Sequence, residues 1–430
     1  MDYEFDIRLF GAGEAVMGTD AYVNASDSSK SEQYAEGGGL SAEMKTFYDK
    51  TLISMAGPSL VHDQFGQKRP IPQNGGKTIE FRKFSSLPKA LTPITEGVTP
   101  AGNKLSVSTV TSTVDQYGDY VEQTDLLELT SVDNTIVETT KKLAEQAGKT
   151  LDTVVREVIY AGTNVLYAPL VNNGEESEIL SRADITENCK LRVKDVFRAA
   201  AELKAMNAPK IDGSYVAIIH PLVAYDLMIE AGDRWLDVAK YVSPEDVLRG
   251  EIGKLAGIRF VETSEAKIFA PAPINGGESR VTAAASVSAS KSVTVNETLP
   301  AGTNLSVPVY VDGAENTIKT IVALENGGSA LTLENSVTIA KDALICGKGG
   351  GRDGSAVFST LVLGADAFGV TDVAGGGIEH IVKQKGYGND PLNQRSSIGW
   401  KALKTAEILV DEYMVRIESG SAFSALTEAN

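Results

Sequence analysis

The chain holds 430 residues, with 57 acidic against 40 basic side chains for a formal charge of −17, and 42 % of its residues are hydrophobic. That length exceeds one ordinary domain, and the balance is that of a folded chain with room for a sizeable core. The excess acid argues against a protein that wraps nucleic acid, because neutralising phosphates needs clustered Lys and Arg.

Residues 1–39 are rich in Gly, Ser, Asp and Ala and close on Gly37-Gly38-Gly39, which reads as an arm that needs a partner. From Ser41 the spacing of Leu40, Met44, Phe47, Tyr48, Leu52 and Met55 predicts a helix with one apolar face, stopped by Gly57-Pro58. Beyond it, Thr78–Arg82 and Lys104–Ser108 alternate as strands, with Pro88, Pro93, Gly97, Pro100 and Gly102 between them. The stretch reads as a long two-stranded excursion too thin to stand alone. Between Gln67 and Ala90 it carries Lys68, Arg69, Lys77, Arg82, Lys83 and Lys89 against Glu80, a net of about +5. Residues 1–44 hold nine acids and two bases, about −7, so arm and excursion have opposite sign and suit each other across a subunit boundary.

The longest helical pattern runs from Asp133 to Tyr160, with Ile136, Leu143, Ala147, Leu151, Val154 and Val158 on one face and capping-box spacing between Thr135 and Glu138. An α/β region follows over 190–266. It contains a helix with Val193, Val196, Phe197, Ala200, Leu203 and Met206 on one face, a strand Tyr215–Ile219, a helix holding Val223, Leu227 and Ile229, and a strand Ile258–Glu262. Composition then shifts. Between Phe269 and Phe358 the only aromatic residue is Tyr310, and short alternating runs rich in Ser, Thr, Val and Ala predict an all-β module closed by Gly347–Gly351. The chain resumes α/β character at Phe358–Leu363 and ends in strands around Gly399–Ala402 and Tyr413–Ile417, an order expected of a module inserted into one parent domain.

Chemistry is poorly represented. Gly75-Gly76-Lys77-Thr78 and Gly148-Lys149-Thr150 end like phosphate loops, but the position that needs the first glycine holds Ile71 in one and Leu143 in the other. His62, His220 and His380 have no ligand or carboxylate partner at helical spacing. His220, before Pro221 at a strand end, is the best catalytic candidate, and a structural role suits it better. Asp119, Glu122, Asp125 and Glu128 read as a solvated face. Cys189 and Cys346 lack partners at disulfide or metal spacing and fit buried small hydrophobes in a reducing cytosol. Met1–Asp6 has no signal-peptide pattern, and no run of about eighteen apolar residues occurs, so neither export nor membrane spanning is expected. No catalytic, cofactor-binding or metal-binding residues are assigned.

The parts, in this order, resemble the major capsid protein of tailed bacteriophages, the Hong Kong 97 type shell fold in its N-four-like branch. The resemblance runs through Leu40–Lys50, Phe65–Pro72, Gly75–Phe81, Gln116–Tyr120, Gly250–Thr263, Gly375–Val382 and Gly399–Lys401, and residues 271–352 lie outside it. It implies an α+β capsid fold with an N-terminal arm over 1–66 and an extended loop over 67–112. A peripheral domain would be built from 113–189 and 391–430, with a spine helix over 133–161, and an axial domain from 190–270 and 353–390. Residues 271–352 would form an inserted β-sandwich or small barrel on the outer surface. The resemblance further implies hexamers and pentamers closing an icosahedral shell around double-stranded DNA, with portal, vertex or decoration proteins as partners and assembly in the host cytoplasm. A bacterial encapsulin-like nanocompartment shell is the alternative. The expected inter-subunit contacts are the cations Lys77, Arg82 and Lys83, the loop aromatics Phe81 and Phe84, and Met44 and Phe47 of the arm helix. Some members join a loop lysine to a neighbour's asparagine; Lys68, Lys77, Lys83, Lys89 and Lys104 do not stand in that motif, so that chemistry is not carried over.

Overall fold

The computed structural model describes the chain from residue 60 onward, except 71–76, 85–86, 88–90, 92, 94–101, 106, 131–134, 173, 233–235, 238–250, 325–326, 372–377, 384–391 and 393. The arm and its helix, with Met44 and Phe47, lie outside the described residues.

Two strands with unbroken apolar character, Tyr215–Ile219 and Val357–Leu363, are buried along their whole length, as expected of strands covered on both faces. They sit at the centre of an eight-stranded sheet. Its order is Val165–Tyr167, Met414–Ser419, Val357–Leu363, Tyr215–Ile219, Ile258–Glu262, Glu251–Leu255, Leu236–Asp237, and Ile268–Phe269 pairs with Val357–Leu363. One face is covered by the helices Val193–Ala205 and Pro221–Ala231, whose Val196, Leu203, Val223 and Leu227 pack on Ala217, Ile219, Phe260 and Val415. Phe197, Met206 and Ile229, expected on the packed faces, point outward instead. Both helices touch the sheet along a narrow stripe, which Ala199 and Ala224 complete from positions that bring the backbones close.

A helix of 25 residues, Thr135–Ile159, crosses the other face. At ~1.5 Å per residue it is about 37 Å long. Leu143, Ala144, Ala147 and Leu151 pack on a three-stranded antiparallel sheet of Ile378–Lys383, Arg395–Lys404 and Asp115–Thr124, while Val155 and Ile159 pack beneath the central sheet. The buried stripe therefore steps by four residues throughout, from Leu143 to Ile159. Val154 and Val158, expected on it, are half-buried, because the stripe follows two partner sheets in succession and not one fixed face.

Pairing runs across the expected boundaries. Met414–Ser419, within 391–430, pairs along its length with Val357–Leu363 in the central sheet. Ile378–Lys383, within 353–390, pairs with Arg395–Lys404 beside the long helix.

Residues 280–347 form a six-stranded sheet in the order Arg280–Thr282, Leu344–Gly347, Val307–Val311, Ala314–Ala323, Ser329–Ile339, Val287–Val295. Every pairing is antiparallel, and the first and last strands meet through an antiparallel bridge between Ala283 and Val295. The Ala284 N–H donates to Thr294 O at 2.8 Å and the Asn296 N–H to Thr282 O at 3.0 Å, so the sheet closes into a small barrel. Val281, Val293, Val309, Ile318, Leu331 and Ile345 fill it, a core separate from those of the central sheet. Its entry and exit run side by side: a Cβ on Gly347 would lie 1.9 Å from Ala272 O, so only glycine permits this approach.

Candidate assembly surface

The strands Thr78–Phe84 and Val107–Thr113 pair antiparallel over seven positions, from Thr78 opposite Thr113 to Phe84 opposite Val107. The second strand begins three residues later than Lys104–Ser108 implied, because register is fixed from the root, where the Val114 N–H donates to Lys77 O at 2.8 Å. Alternation sorts the first strand: Ile79 and Phe81 face the body, while Thr78, Glu80 and Arg82 face solvent, and Lys77 is exposed just before the strand begins.

Phe81 is fully buried, and the reason is local. Its ring lies over Gly369, where an added Cβ would meet ring carbons at 2.3 Å, and Val110, Leu403 and Leu409 surround it. The Phe81 ring, expected at an inter-subunit contact, is enclosed by its own chain in the single subunit and fixes the hairpin to the body. Ser112 Oγ and Thr405 Oγ1, 2.6 Å apart, add a buried hydrogen bond at the same root. Arg82 is exposed on the outer face of the strand, and Lys77 is exposed just before it. Lys83 and Phe84 lie on the strand, but their side chains are outside the described residues, as are Met44 and Phe47. Lys77 and Arg82 are thus both exposed, one before the strand and one on its solvent face, and Phe81 is enclosed.

Beneath the hairpin lies a buried polar cluster that the sequence reading did not isolate. The strand Gln67–Arg69 pairs parallel with Phe368–Thr371, and just before it a single 3-10 turn, His62–Phe65, rests on the long helix. Asp152 accepts from the His62 main-chain N–H at 2.8 Å and lies 2.6 Å from His62 Nδ1, both side chains being fully buried. The next residue, Asp63, forms an ion pair with Lys404, whose Nζ also donates to Thr371 O at 3.0 Å. Burial pushes the Lys404 ammonium below its ordinary pKa, against the opposing pull of Asp63. The available signal was Asp152 itself, a carboxylate on the long helix beside the buried stripe. Its partner 90 positions earlier has no local signature.

A second exposed feature follows the strand Asp115–Thr124. The short helix Asp125–Thr130 exposes Leu126, Leu127 and Leu129, the last at 84 %, and Tyr120 is 64 % exposed on the strand before it. Leu91, between the hairpin strands, is 81 % exposed. Leu126, Leu127 and Leu129, grouped on one short helix, make this the candidate apolar contact surface, whereas a single exposed residue such as Leu91 is ordinary.

The chemical candidates resolve into structural roles. His220 Nδ1 accepts from the Leu222 N–H at 3.2 Å and caps the helix Pro221–Ala231, and burial lowers its pKa to about 4. The Cys346 thiol is pushed up to about 11 by burial, and its Sγ lies 3.4 Å from Arg352 O. Asp119 is held below the ordinary carboxylate range by the Gln146 amide, 2.6 Å away, and by the Tyr120 N–H. Among the described residues, no group of three or more His, Cys, Asp or Glu side chains is placed to hold a metal ion, and no helix is long and apolar enough to cross a membrane.

Comparison with known proteins decides the class. The sequence model of the family described as "Phage capsid protein" matches residues 64–390, well over half of the chain. The chain belongs to the phage capsid protein family. It is a structural protein of a phage capsid. The solved structures it resembles include the capsid of the cyanophage P-SCSP1u, at 13 % identity over 84 % of this chain and 89 % of that one with a TM-score of 0.47. The capsid of Ralstonia phage GP4 follows at 12 % identity over 81 % and 84 % of the two chains, with a TM-score of 0.49. An encapsulin complex from Synechococcus elongatus is also similar, at 7 % identity over 83 % and 86 %, with a TM-score of 0.41. No curated protein matches the chain.

Proposed function

We propose that this capsid protein forms hexamers and pentamers of the Hong Kong 97 type that close an icosahedral shell around double-stranded DNA in the host cytoplasm. Portal, vertex or decoration proteins complete the virion. The observation that carries the reading is the hairpin within the family-matched span: its root is fixed by Phe81, its solvent face carries Arg82, and Lys77 is exposed at its base. The acidic arm of a neighbour, with Met44 and Phe47, meets this face. Lys83 and Phe84 extend the contact toward the hairpin tip. Opposite charge speeds and orients the encounter, and apolar contact then holds it. The net acidity of the chain suits a wall that encloses DNA without gripping it.

The closed barrel over 280–347 supports reading residues 271–352 as an inserted domain, placed on the outer surface, where it meets neighbouring subunits or a decoration protein. Reversing Lys77, Arg82 and Lys83 to Glu tests the hairpin reading. Particle yield should fall and become less dependent on salt, and an unchanged yield across a salt series contradicts it. Particle contents test the enclosed cargo: DNA is expected, and a packaged enzyme in its place would favour the nanocompartment alternative.

A further inference from the structure

We propose that Lys404 and Asp63 condense into an amide inside the folded chain, tying the turn His62–Phe65 covalently to the strand Arg395–Lys404. Lys404 ends that strand with its side chain wholly buried, and its amine is in direct contact with the Asp63 carboxyl, itself almost wholly buried. Thr371 O accepts from the same Nζ at 3.0 Å and fixes the direction of the amine. Asp63 is held in turn, because the preceding His62 is bound to Asp152 through both its main-chain N–H and its ring. Val61, Phe65, Phe368, Val370 and Ala406 build the dry surroundings. The Lys68 ammonium, half-exposed, stands 4.0 Å from the other carboxyl oxygen.

The reaction follows from that placement. A dry site disfavours the two charges, and burial already pulls the Lys404 ammonium toward its neutral form. Transfer of a proton from the ammonium to the carboxylate leaves an amine lone pair facing a carboxylic acid. Nζ attacks Cγ of Asp63, one Cγ–O bond breaks, and the departing hydroxyl takes a proton from nitrogen and leaves as water. Electrons and atoms balance with no oxidant, reductant or added reactant. In open water the same two groups stay ionised and apart; here the fold holds them in contact, which supplies the orientation the step needs, and excludes the water that would reverse it. Asp152 is a positioning residue, acting through His62. The bond would close a loop between residues 341 positions apart, and the unfolded chain would lose the freedom of that whole loop.

The test is the intact mass of the purified, folded, full-length chain after denaturation, followed by tryptic mapping. The expected mass is lighter than the sequence requires by one water. Lys404 should resist trypsin, giving a branched peptide that joins residues 51–68 to residues 402–416. Asp63→Asn should reach the same covalent product by losing ammonia, and Lys404→Met should keep its full mass. An unreduced mass in the folded wild-type chain, with ordinary tryptic cleavage after Lys404, overturns the proposal, as does a water lost equally by Lys404→Met. The wild-type measurement stands alone if either variant fails to fold, and it reads the same on shells or on free subunits.

Discussion

Asp152, on the long helix, receives two hydrogen bonds from His62, one from the main chain and one shared with the ring, in a site closed to solvent. The contact fixes the chain just before the hairpin to the element that spans the body. Asp152→Ala would leave the His62 N–H and ring nitrogen without their hydrogen-bond partner, and each buried group left unpaired in this way costs about 1–3 kcal/mol. Urea unfolding should show that loss. Hydrogen exchange should show Val61–Phe65 opening before the central strands, and unchanged protection there would contradict this role.

The hairpin root makes a second case. Phe81→Ala removes a fully buried ring and should cost about 3–5 kcal/mol. Gly369→Ala should also destabilise, because its Cβ would press on that ring at 2.3 Å. In the double variant the methyl enters space the ring has left, so the two losses should sum to less than their separate values. Additive losses in a double-mutant cycle would show that the two positions do not share one contact.

Acid should weaken the helix Pro221–Ala231 through His220. Its pKa falls from 6.5 to about 4 on folding, so the unfolded chain takes up a proton that the folded chain resists. The stabilisation is present above about pH 6.5 and is lost as pH drops through about 4. Protonation also places a hydrogen on Nδ1, where the Leu222 N–H now donates. His220→Asn keeps a capping acceptor without a titrating ring. Its denaturation midpoint should therefore decline less than wild type between these limits, and parallel curves would refute the assignment.

The barrel should be separable. Its strands complete their own core, and its connections meet where Gly347 lies against Ala272. Replacing residues 273–346 with a short Gly-Ser bridge should leave a folded parent with its central sheet intact, because Val357–Leu363 pairs with Tyr215–Ile219 and Met414–Ser419 and with no barrel strand. Circular dichroism and a cooperative melt check this, and an unfolded product would mean that barrel and parent form one unit.

Elements with strong local pattern were readable from sequence. Tyr215–Ile219 and Ile258–Glu262 stand where short runs rich in β-branched and aromatic residues put them, and the long helix lies within two residues of its expected ends. Pairing was not readable, since the hydrogen bonds of Met414–Ser419 to Val357–Leu363 depend on which sheet the chain reaches and not on local composition. Phe81 shows the same limit at the candidate surface. An alternating strand gives a two-sided pattern, but only Gly369, far along the chain, tells which side the body covers. Lys404 reads as a surface cation until Asp63 is found beside it.

A chain that builds a shell from its own copies should do so unaided. Electron microscopy of the protein, expressed alone and purified, should show closed particles, or sheets and tubes made of hexamers. A folded protein that stays monomeric at high concentration would rule out self-assembly into a shell.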